Sequence, residues 1–152
     1  MTRIVNAVVI GAAIEQVFAF ATTPANWPKW HPASKAVTGA VDHPLEPCER
    51  LVEQIETIGY RGRASWVVRE RATPQRWVIE GEGGTGGHAR IAYRLFGQAD
   101  GTRFERELVY RMPNAWYALL DVLFIRRRMA AQSEQALSRL RALLEADAAT
   151  GA

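Results

Sequence analysis

The chain has one cysteine and three histidines among its 152 residues. The lone Cys48 has no partner for an internal disulfide, so a reducing, cytoplasmic setting is expected and the core must hold the fold. His31, His43 and His88 are too scattered for a ligand spacing, and neither a metal nor a cofactor is expected. Beyond the N-terminal strand, the longest apolar stretch runs from Trp116 to Ile125 and contains Asp121. It is too short to span a bilayer, which takes about 20 residues. The N-terminal run IVNAVVIGAAI is broken by Asn6 and ended by Glu15-Gln16, which argues against a signal peptide. There is no large block of one charge. Nineteen Lys and Arg face sixteen Asp and Glu, for a net charge of +3. The one dense basic run is Arg126-Arg127-Arg128, so no nucleic-acid partner is expected. No GxSxG nucleophile motif, internal repeat or linker is found.

What is present is an ordinary globular composition, 48% hydrophobic and 23% charged. A chain of this length is expected to form one domain, residues 1–152, burying about 70% of its unfolded surface. Ile4 to Ile10 is β-branched and predicts a strand, with Ile4, Asn6, Val8 and Ile10 on one face. Ile14, Val17, Phe18 and Ala21 recur at helical spacing. Pro24 suits the start of a second short helix that Pro28 and Pro32 confine. Strands are expected over Lys35–Val41, Arg50–Ile58, Gly62–Arg71, Arg76–Glu82, His88–Gln98 and Thr102–Met112, with Asp100-Gly101 making a tight hairpin. Short connections imply an antiparallel meander. A helix is predicted from Asn114 to Ala146, with Leu119, Leu123, Ala130, Leu137, Leu140 and Leu144 near one stripe. Its first third is apolar almost all round and reads as a separately oriented piece; Asp147 to Ala152 should fray.

The segments VVIGAAIEQVFAFATTPANWPKWHP at 8–32 and ALSRLRALLEA at 136–146, in this order of elements, resemble the SRPBCC superfamily. That group includes START-like lipid-transfer domains, birch-pollen-allergen-like proteins and polyketide cyclases. The resemblance covers nearly the whole chain. It implies an α+β helix-grip fold: a curved seven-stranded antiparallel sheet wrapped around a long C-terminal helix, two short helices after the first strand, and an apolar cavity between. No catalytic motif carries over with it. The loop at 42–49, with Pro44 and Pro47 where a small glycine turn would be expected, is a departure.

Several residues and motifs are candidates for chemistry. Gly81, Gly83 and Gly86 match GxGxxG, but HARIAYRLF follows as a strand, so a hairpin is the better reading than a dinucleotide site. Cys48 has mainly acidic neighbours and reads as an inert thiol. His31 either caps the second short helix or lines a cavity mouth. Trp66, Trp77, Tyr93, Phe104 and Tyr110 fall inward on four strands, as core or as ligand-facing rings. Arg106, in phase with Phe104, Leu108 and Tyr110, is the sharpest candidate. A buried arginine must be paired or must hold an acidic or carbonyl group. Glu53 is its expected partner, with help from Asn6. Trp30, Trp116, Leu120 and Phe124 complete the expected ligand contacts. The Trp116–Arg128 segment reads as a lid or core; a membrane contact is the weaker reading, because one short apolar segment binds lipid weakly.

The expected function is binding or carriage of a small hydrophobic or aromatic molecule, lipid- or polyketide-like, by a monomer or homodimer. A polyketide cyclase or dehydratase acting in the same cavity is the alternative. No histidine has a clear inward strand phase, which favours binding over catalysis.

Overall fold

The computed structural model describes residues 1–57 and 60–150. Strand β1 (Thr2–Ile10) leads into helix α1 (Ile14–Ala21), a 3-10 turn (Pro24–Asn26) and the short helix α2 (Trp27–Trp30). Six strands follow: β2 (Ser34–Gly39), β3 (Arg50–Thr57), β4 (Tyr60–Ala72), β5 (Arg76–Gly83), β6 (His88–Gln98) and β7 (Gly101–Arg111). They form one antiparallel sheet in the order β1-β7-β6-β5-β4-β3-β2. Each connection from β2 to β7 joins neighbours, as short loops require, and β1 closes the sheet on β7. The chain ends in a continuous helical rod: α3 (Ala115–Leu120), a π-turn (Asp121–Ile125) and α4 (Arg126–Thr150).

The β7 hairpin depends on Gly101. Its φ is +139°, and a Cβ there would sit 2.1 Å from the Ile10 carbonyl oxygen. No other residue fits that turn. Along β7, Thr102, Phe104, Arg106, Leu108 and Tyr110 are buried while the residues between them are more exposed. The period of two read from the sequence therefore holds through the strand, and no bulge turns Arg106 outward.

Helix α4 lies over β1 and touches α2. Its buried residues are Ser133, Ala136, Leu137, Leu140 and Leu144. With α4 placed there and α1 against β6 and β7, space remains between the strands, α2 and the rod.

Some boundaries differ from expectation. Strand β2 stops at Gly39 (φ +110°), leaving Ala40 and Val41 outside it. The expected end of β3 at Ile58 lies outside the described residues, as do the last two positions, Gly151 and Ala152. Helix α4 continues to Thr150 instead of fraying after Ala146. The larger correction concerns the leucine stripe. Leu119 and Leu123 are 51% and 52% exposed, whereas Leu137, Leu140 and Leu144 are buried. A π-turn closes i→i+5 bonds and inserts an extra residue, so it rotates everything before it out of phase with the helix after it. The apolar piece from Trp116 to Ile125 is accordingly not core: α3 has no buried residue.

Candidate functional site

The uncovered space is a cavity of about 520 Å³ between β3–β7, α2 and the rod. That size suits a small organic molecule. Its walls include Ile55, Ala64, Ile79, Ala89, Ile91 and Leu108 from the strands, with Leu120, Ile125 and Met129 from the rod. Tyr60, Tyr117 and Phe124 line it and are also exposed, so they mark the rim. Gly81 makes room for one wall. A Cβ on it would meet the Trp66 ring at 2.4 Å, so the indole lies directly on the β5 backbone.

Polar groups gather at the inner end. Arg106 is 5% exposed and donates from Nη1 to Ser133 Oγ of α4 at 3.0 Å. Its Nε has no partner among the described residues. Glu53 is 8% exposed and accepts from Trp66 Nε1 at 2.9 Å. Burial pushes its carboxyl above the usual range, opposed by the Trp66 hydrogen bond and the Arg106 charge. The expected Arg106–Glu53 pair is thus corrected. The two feel each other's charge, but Arg106 donates to Ser133 and Glu53 accepts from Trp66. Asn6 stands opposite Arg106 on β1, and its Oδ1 is unpaired among the described residues.

His31 follows α2 and turns toward this cluster, on the cavity wall. The Ala33 N–H donates to its Nδ1 at 3.2 Å, which leaves Nε2 to carry the proton. Burial, then the positive charges of Arg106 and Arg139, pull its pKa down to about 3. The ring is therefore neutral at physiological pH. Tyr93, opposite Arg106 on β6, stacks on Trp77 at 5.2 Å. Burial pushes its phenol up to about 12, so it keeps its proton. Trp30 Nε1 is buried beside the same rings without a partner among the described residues. The inner end is therefore rich in donors: guanidinium, imidazole N–H and phenol O–H. What it can hold is an acceptor oxygen.

A second buried cluster fastens the cavity's cover. Asp121, 2% exposed within the π-turn, accepts from Thr2 Oγ1 at 2.6 Å, from Tyr110 Oη, and from Arg126 Nη2 at 3.3 Å. Burial and the adjacent Asp121 carboxylate hold the Tyr110 phenol well above its ordinary value. The rod is thereby tied to both β1 and β7.

Of the ligand contacts expected from sequence, Trp30, Trp66, Tyr93, Arg106, Tyr110, Leu120 and Phe124 lie on the cavity wall. Three do not. Trp77 shares their face of the sheet but sits further along β5, edge-on to Trp27, donating to the Leu45 carbonyl at 3.1 Å. Phe104 is fully buried behind Tyr93, 5.0 Å between centroids. Trp116 points away from the cavity and is 64% exposed. The tyrosine Tyr110 has its hydroxyl already engaged by Asp121. Sequence reasoning missed Ser133 and Asp121, and it gave Glu53 only the part of a counter-ion. The one signal for Asp121 was an acid in an otherwise apolar run.

The remaining motifs are structural. Gly83 and Gly86 belong to the β5–β6 hairpin, where the Gly83 N–H donates to the Gly87 carbonyl at 2.8 Å. Cys48 is exposed in a loop, with φ +73°. No helix of the described residues is long and apolar enough to cross a membrane.

Comparison with known proteins gives a consistent picture. TTHA0849 from Thermus thermophilus superposes with a TM-score of 0.79 at 16% identity, covering 95% of this chain and 98% of that one. A START superfamily protein from Mycobacterium smegmatis gives 0.72 at 14% identity, over 94% and 97% of the two chains. DynU16, a protein in the dynemicin biosynthetic locus, gives 0.68 at 15% identity; the match covers 94% of this chain and 47% of DynU16. At such identities these likenesses speak for the fold alone. No curated protein sequence matches. The family model described as "Polyketide cyclase / dehydrase and lipid transport" matches residues 1–145, and the chain belongs to that family.

Proposed function

We propose that the protein binds a small, mostly apolar or aromatic molecule carrying one acceptor oxygen, a carbonyl or an anionic group. The observation that carries this reading is the 520 Å³ cavity, apolar along its walls, with Arg106, His31 and Tyr93 at its inner end. Apolar burial at about 25 cal/mol per Å² supplies the affinity, and the donors orient the ligand. A buried guanidinium with an unpartnered Nε is stabilised by any anion that approaches it.

Two naphthalene probes test the reading: anionic 8-anilinonaphthalene-1-sulfonate and neutral N-phenyl-1-naphthylamine. Wild-type protein should bind both, the anion more tightly. Arg106→Gln should remove the preference for the anion. Ala89→Trp, which fills the cavity, should abolish binding of both. Unchanged binding by Ala89→Trp would refute the site.

One observation favours a second reading, catalysis of the cyclase or dehydratase type. Glu53 and His31 face the same cavity with pKa values displaced in opposite senses, Glu53 upward and His31 downward. Displaced titratable groups that face one cavity are what acid–base chemistry requires. A carbonyl held by Arg106 would acidify its neighbouring carbon, and Glu53 would move the proton. The isosteric Glu53→Gln should then leave probe binding intact and abolish turnover of a substrate. Turnover that survives this change would remove Glu53 from the chemistry.

A further inference from the structure

The outer side of the cavity's cover is unlike the rest of the surface. Trp116, Leu119, Val122, Leu123 and Phe124 are 64%, 51%, 57%, 52% and 63% exposed, and Tyr117 is 43% exposed. Elsewhere, exposed large apolar residues such as Val5, Val9 and Phe96 are scattered along strands, which is normal. Six within nine consecutive residues form a ridge of the kind that marks an interaction site.

The charges beside this ridge have one sign. Arg126, Arg127 and Arg128 follow it directly and are exposed. Arg126 leans back to Asp121. Arg127 and Arg128 make no ion pair among the described residues. The single acid between Ala115 and Arg128 is Asp121, which is buried and consumed by Thr2, Tyr110 and Arg126. The outward face is therefore apolar and positive, with no negative group on it.

We infer that Ala115–Arg128 docks on an anionic lipid surface, with the apolar ridge entering the headgroup boundary and Arg127 and Arg128 meeting the lipid phosphates. A bilayer offers both complements at once, a greasy layer edged by negative charge. A second copy of this chain offers only the first. Two such ridges packed on each other would leave the arginines of both without an acid partner, since the one acid of the segment, Asp121, is buried. The inner side of the same segment lines the cavity through Leu120 and Ile125, with Tyr117 and Phe124 at the rim between the two sides. Docking thus places the cavity rim against the bilayer, where an apolar ligand would be exchanged without crossing water. The docking itself rests on the ridge and not on the ligand reading.

Vesicle co-sedimentation tests it, with phosphatidylcholine vesicles containing 30% phosphatidylglycerol compared with pure phosphatidylcholine. Binding should require the anionic lipid and weaken with salt. Arg127→Glu with Arg128→Glu should lower affinity by more than the roughly fivefold expected per neutralised arginine. Trp116→Ser with Leu123→Ser should lower it as well, with the far-ultraviolet circular dichroism spectrum unchanged. If the serine variant fails to fold, the arginine variant still decides. Equal binding to both vesicle types, or binding indifferent to both variants, would overturn the proposal. So would sedimentation velocity in which the ridge holds a dimer and its variants are monomers while vesicle binding stays the same. The cavity-filled Ala89→Trp protein should bind vesicles like wild type, which separates this test from that of the ligand site.

Discussion

The C-terminal rod has two halves of contrasting fate. From Ser133 to Leu144 its apolar face is buried over β1. From Trp116 to Phe124, with more apolar residues per turn, it buries almost nothing but Asp121. Hydrophobicity and burial are thus inverted along one helix, and the most apolar part is the part left in solvent. The packed half stabilises the molecule. The exposed half covers the cavity, held by a polar latch in place of core packing.

That contrast can be broken by substitution. Leu140→Ala removes a fully buried side chain and should cost about 2–5 kcal/mol in urea unfolding. The same change at exposed Leu123 should stay within about 0.5 kcal/mol. Comparable losses at both sites would erase the distinction between the halves. Asp121→Ala should come next, at about 1–3 kcal/mol, because the Tyr110 and Thr2 hydroxyls are left buried without an acceptor. Hydrogen exchange should then speed up across 115–125 and remain slow from 133 to 144; uniform change would mean that the latch supports the whole rod.

A pH-dependent effect sharpens the boundary where His31 faces α4. Its pKa falls from 6.5 to about 3 on folding, so between those values the unfolded chain binds more protons. Stability should be complete above pH 6.5 and decline as pH drops toward 3, by up to about 1.4 kcal/mol per pH unit from this residue. His31→Gln should flatten that slope in thermal unfolding between pH 4 and 6; an unaltered slope would mean the ring is solvated. Glu53 works in the opposite direction. Its carboxyl is raised, so its contribution is full below 4.5 and fades as pH climbs through the folded value. Glu53→Gln should therefore leave the melting temperature unchanged at pH 4 and raise it slightly at pH 8.

Strand phase was legible because every concave position of β7 obeys a period of two, which carried Arg106 inward on pattern alone. The hairpins were legible from their glycines, Gly101 above all. The leucine stripe of the rod was misread at Leu119 and Leu123. Helical periodicity assumes a constant turn, and nothing in DVLFI announces a wider one. Trp77 and Phe104 were correctly inward but stood beyond the cavity's end. Facing inward is a property of the strand, whereas lining a hollow depends on where helices lie above it.

From the residues alone come the elements, their order and the faces they bury, since alternation and turn chemistry act between near neighbours. The family follows from the same information. The hollow, and the meeting of His31, Glu53, Arg106 and Ser133 from four separate elements, depend on how far α4 sits toward β1. That placement is a balance of packing among distant segments, and no local stretch of sequence contains it.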